Sequence, residues 1–92
     1  MDKITDEKLK KYFFMSNKAL ELAEKARTND KKTREEFLDT IRRYISDAEH
    51  FNKNNDKVNA FAALNYAHGW LDAGVKLGLW KVKDSRFFAG VE

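Results

Sequence analysis

The chain has 92 residues, no cysteine and no proline; 36% of its residues are charged and 13% aromatic, with 18 basic against 15 acidic side chains for a net charge of +3. That length supports one small domain with its own core, and the aromatic content excludes a disordered chain. Without cysteine there is no disulfide, thiolate metal site or thiol nucleophile; no stretch approaches the roughly 20 apolar residues of a membrane span, and a cytoplasmic setting is expected.

Glycine is confined to positions from 69 onward, and the apolar spacing is helical throughout, so the chain reads as all-α. A first helix is expected over about 6–28. Thr5 is its N-cap, Asp6 and Glu7 suit the positive end of the helix dipole, and Ile4 with Leu9 can form a hydrophobic staple. Leu9, Tyr12, Phe13, Ser16, Ala19, Leu20 and Ala23 share one side of its wheel. Phe14 falls off that side.

"NDKKT" separates this helix from a second, expected over 34–53, where "TREE" supplies a capping box with Thr33 as cap and Glu36 reciprocating. Phe37, Leu38, Ile41, Tyr44, Ile45, Ala48 and Phe51 form its apolar stripe, opposite a charged face. The turn "NKNND" leads to a third helix over 57–77, capped by Asp56 and ended by Gly78 at the position that favours a left-handed residue. Between Val58 and Val75 that helix carries one charged residue, Asp72. Its wheel divides into a core arc (Ala60, Ala63, Leu64, Ala67, Trp70, Leu71, Gly74, Val75, Leu77), a neutral stripe (Ala62, Gly69, Ala73, beside Tyr66) and a polar ridge (Phe61, Asn65, His68, Asp72, Lys76).

Glycine inside a helix costs about 1 kcal/mol relative to alanine, and packing is the reading for both. Gly74 lets another part of the bundle approach, and Gly69 offers a second seam on a different side. The tail, 78–92, is rich in aliphatic and aromatic residues at Leu79, Trp80, Val82, Phe87 and Phe88. It either folds back onto the third helix or docks into a second subunit.

The block Tyr66-Ala67-His68-Gly69-Trp70-Leu71-Asp72-Ala73-Gly74, followed by Leu77-Gly78-Leu79, resembles a family of small archaeal proteins catalogued as domain of unknown function 357. The resemblance implies an up-and-down three-helix bundle and brings no activity with it.

Chemistry-bearing residues are few. His68 and Asp72, four apart on one helix, can pair or hold a metal, yet they read as structural. Asp47 and His50 form a carboxylate-x-x-histidine pattern, but level-matching the second and third helices puts His50 and His68 about eight residues, roughly 12 Å, apart along the axis. One metal cannot join them. The same matching pairs Asp72 with Arg42 or Arg43. Of the three serines, Ser16, Ser46 and Ser85, none is placed near His68, and no glycine-rich phosphate loop is present.

The basic residues are interleaved with acidic ones, which argues against a dedicated nucleic-acid binder. The expectation is a non-enzymatic module with no catalytic, cofactor or metal residue. It self-associates as a homodimer or docks another protein through Phe14, Ala62, Tyr66, Gly69, Ala73, Trp80, Phe87 and Phe88, beside the ridge of His68 and Asp72. The alternative is a weak nucleic-acid-binding accessory protein that uses Lys81, Lys83 and Arg86 beside Trp80, Phe87 and Phe88.

Overall fold

A computed structural model describes residues 3–89 and 91. Three helices, α1 (Asp6–Lys25), α2 (Lys31–Lys53) and α3 (Lys57–Lys76), form a bundle in which α3 packs against both others and most extensively against α2. None of them is long and apolar enough to cross a membrane.

Local capping chemistry places most of the helix ends. The Lys8 amide donates to Thr5 Oγ1 at 3.1 Å, which fixes the start of α1 where the sequence predicts it. Between α2 and α3, Asn55 adopts a left-handed φ of 59°, which asparagine tolerates better than most residues. The Asp56 amide then donates to Phe51 O at 2.9 Å and the Asn55 amide to Asn52 O at 3.1 Å, a Schellman closure. Asp56 Oδ1 accepts from the Asn59 amide at 3.1 Å and so caps α3, as expected.

Besides the end of α3, which falls one residue early at Lys76, two boundaries differ from the expectation, and both lie at the α1–α2 junction. Helix α1 stops at Lys25 instead of about residue 28, because Ala26 turns extended with ψ 159°. The carbonyls released there find tertiary donors: the Arg34 guanidinium reaches Ala26 O at 3.0 Å and the Lys81 amide reaches Arg27 O at 2.9 Å. Helix α2 starts at Lys31 instead of residue 34, with Asp30 as its cap. The Asp30 carboxylate takes both Thr33 donors, the amide at 3.1 Å and the hydroxyl at 2.7 Å, so the Thr33–Glu36 capping box does not form. A carboxylate with two free oxygens satisfies both groups and suits the helix dipole.

The end of α3 sends the tail back over the bundle. Gly78 has φ 71°, the Leu79 amide donates to Gly74 O at 2.9 Å, and the Gly78 amide donates to Val75 O at 3.1 Å. Trp80 then enters the core, fully buried, with its indole Nε1 donating to Leu71 O at 2.9 Å. Its ring lies where a Cβ on Gly74 would be, which explains that glycine. The tail runs on between α1 and α3: Phe88 is buried, Phe87 meets Phe14 edge-on with ring centroids 6.3 Å apart, and the Ala89 amide donates to Asp72 Oδ1 at 2.9 Å. Leu77, placed on the core arc by its wheel position, is instead exposed at the helix end.

Two predictions follow from these contacts. Gly74→Ala, forced against the Trp80 indole, should lower stability in urea melts by about 1–3 kcal/mol, whereas Gly69→Ala, with no atom within 4 Å of the new methyl, should raise monomer stability by up to about 1 kcal/mol. The Asp30 carboxyl is held below its ordinary 3.8, first by the Thr33 amide and then by the Thr33 hydroxyl, both of which donate to its ionised form. Its stabilisation is therefore complete above 3.8 and lost as pH falls through the depressed folded value. Thermal melts of Asp30→Asn, which keeps a cap but does not titrate, should fall less steeply with acid than those of the parent.

Candidate functional site

The neutral stripe of α3 lies open to solvent. Phe37, Asn65, Tyr66, Gly69, Trp70 and Ala73 line a shallow groove of about 410 Å³ between α2 and α3. Its floor is Gly69, where nothing lies within 4 Å of the position a side chain would take. Its walls are aromatic and braced from behind. Phe37 meets Trp70 edge-on at 4.8 Å between ring centroids, and Tyr66 stacks on Tyr44 at 5.5 Å with 17° between the planes. Tyr66 nonetheless keeps 62% of its surface exposed. Ala62 continues the same face one turn toward the start of α3, in a second hollow with Tyr44 and Tyr66.

The predicted interaction residues therefore divide into two groups. Ala62, Tyr66, Gly69 and Ala73 share this one face. Phe14, Phe87 and Phe88 lie on the α1/α3 side with the tail, and Phe14 remains 63% exposed beside Phe87. Trp80 and Phe88, at 0% and 2% exposure, are buried inside their own chain, which corrects their placement on an intermolecular surface. Of the two expectations for the tail, folding back holds for Trp80, whose partner is the surface of α3 itself. Trp70 and Phe37, assigned to core positions by periodicity, pack partly buried against the core and also form walls of the groove.

Of the polar ridge, Phe61, His68 and Asp72 face α1 and the tail, while Asn65 lines the groove and Lys76 is exposed. Ser16 Oγ and His68 Nδ1 lie 3.2 Å apart in a hydrogen bond between α1 and α3, and Ser16 is fully buried. This corrects the reading that no serine lies near His68. The available signal was the serine's place on the apolar side of α1, because a buried hydroxyl requires a partner. Phe61 packs edge-on against Tyr12 at 4.8 Å, with the Lys8 ammonium 5.3 Å from its ring. The expected pairing of Asp72 with Arg42 or Arg43 does not occur: Asp72 holds the Ala89 amide, Arg42 pairs with Glu24 at 2.7 Å and Arg43 with Asp39 at 2.9 Å. The rotation of α3 that turns its ridge toward α1 carries Asp72 away from α2.

His50 is exposed and its Nε2 lies 3.3 Å from Asn54 Nδ2, on the outer side of α2. Among the described residues no three His, Asp or Glu side chains converge as a metal site would require. The carboxylates with depressed pKa lie away from the groove and owe the shift to local donors: Lys57 for Asp6, Lys25 for Glu21, Thr33 for Asp30 and Arg86 for Asp84. The groove itself offers aromatic walls, a bare backbone floor and one amide, Asn65.

A protein-family model described as a protein of unknown function (DUF357) matches residues 11–80. No curated protein and no solved structure matches the chain.

Zinc or iron(II) in modest excess should leave the melting temperature unchanged, since a ligand bound to the folded state would raise it by linkage. A rise of several degrees that His68→Ala abolishes is the contrary result.

Proposed function

The chain belongs to the DUF357 family, whose description assigns no activity, and from its surface we propose that it is a non-enzymatic protein-interaction module that docks through the α2/α3 face around Gly69. One observation carries this reading. A glycine inside a helix costs about 1 kcal/mol relative to alanine, and the fold accounts for Gly74, which seats Trp80, but not for Gly69, which touches nothing. A bare helix backbone between braced aromatic rings is what close approach by another polypeptide requires.

The surrounding chemistry supports the same use. Aromatic side chains dominate binding energy at protein interfaces, and the bracing of Tyr66 by Tyr44 and of Trp70 by Phe37 reduces the entropy lost on docking. Each 100 Å² of apolar surface removed from water contributes roughly 2.5 kcal/mol before those losses. The tail offers less to nucleic-acid stacking: Trp80 and Phe88 are buried, and Arg86 is held by Asp84 at 2.7 Å.

A photoreactive amino acid placed at Asn65 should form protein adducts in concentrated native lysate. The same group at Asp39, exposed on the far side of α2, should form none. Absence of adducts from position 65, or equal yields from both positions, would overturn the docking reading.

A further inference from the structure

The groove has a shape that fits its own copy. We infer that its occupant is a second copy of this chain, with the two α3 helices crossing antiparallel about a two-fold axis centred between Tyr66 and Gly69. This rests on the docking reading above and identifies the partner.

Positions three and four apart share a helix face, so the face holding residues 62, 65, 66, 69, 70 and 73 keeps its pattern when the helix direction is reversed. Reversal sets Ala62 against Ala73 and Tyr66 against Gly69 of the other copy. The most exposed ring on the face, 62% exposed, thus meets the one floor position with nothing within 4 Å, and it does so twice in the dimer. Parallel pairing would set the two Tyr66 rings against each other and leave the two Gly69 positions facing across a void. Close packing has no place for either. A two-fold interface is self-complementary in this same sense, and such dimers are the commonest oligomers.

Charge bears on the occupant as well. The residues lining the groove carry no charged side chain, and the Asp72 carboxylate is engaged with the Ala89 amide outside it. Two copies, each of net charge +3, can therefore meet at the groove without like charges opposed across its centre. The area limits the apolar contribution to its strength. A helix face of roughly 30 by 10 Å, widened by Phe37 and Tyr44 of α2, offers on the order of 500 Å² per chain, below the roughly 800 Å² of a standard interface. The dimer is accordingly weak and populated at high micromolar concentration.

Light scattering across a concentration series tests the inference on the intact chain. The mass should rise toward twice the 10.8 kDa of one chain. Ala73→Glu, which buries a charge at the contact, should weaken association on the order of tenfold or more. Ala62→Lys combined with Ala73→Glu should restore it, because in the antiparallel register each introduced cation faces an introduced carboxylate. Circular dichroism melts of each variant confirm that the bundle is intact, as expected for changes at the groove surface. A parent that stays at one chain mass at millimolar concentration, or a double variant no tighter than Ala73→Glu alone, overturns the inference. Adducts of position 65 with other proteins alongside a monomeric parent would retain the docking face and remove the second copy as its occupant; a monomeric parent without adducts would remove both.

Discussion

The seat of Trp80 on Gly74 governs the arrangement of this molecule. Burying an indole of about 150–250 Å² is worth about 4–6 kcal/mol as an upper estimate, several times the roughly 1 kcal/mol that a helical glycine costs. The exchange therefore favours the glycine. The seat works only because Gly78 turns the chain through a left-handed φ directly after α3, and because Leu71 O lies within 2.9 Å of the indole nitrogen. Once Trp80 is in place, the residues after it are directed toward α1, where the Lys81 amide reaches Arg27 O and the Asn29 amide reaches Gly78 O. The loop between α1 and α2 is thus held by the far end of the chain.

That arrangement divides α3 between two environments. One side faces α1 and the tail, and its polar groups are taken up internally, His68 by Ser16 and Asp72 by Ala89. The other side carries Tyr66, Gly69 and Ala73, and no described residue of the tail lines its groove. Two glycines five residues apart in sequence thereby have different physical roles: one receives a ring from its own chain and the other is bare. A single helix supplies both the central packing element and the open face of the domain.

Features decided within one turn of chain were legible in the sequence: the Thr5 and Asp56 caps, the Gly78 reversal, the three-helix order and the neutral stripe of α3. Features decided by how helices rotate against one another were not. Ser16 and His68 are 52 positions apart, and nothing local reveals which face of α3 meets α1. The misplaced start of α2 is intermediate between these cases, because Asp30 and Thr33 are both good caps and the choice follows from contacts that end α1 early, Arg34 to Ala26 among them. The tail was ambiguous for another reason: its aromatic content requires burial but does not say in which molecule, and only the space above Gly74 resolves that.

The placement of the Trp80 seal after all three helices bears on biosynthesis. A ribosome delivers the chain from its N-terminus, so α1, α2 and α3 can assemble through contacts between neighbours in sequence while the piece that closes the α1/α3 groove is still being made. Until then the Gly74 hollow stands open and the junction after α1 lacks its Lys81 and Gly78 anchors. A nascent chain stalled before residue 80 would hold a bundle with its Gly74 hollow uncovered, a form suited to capture by chaperones, and synthesis of the segment from Leu79 onward would end that exposure.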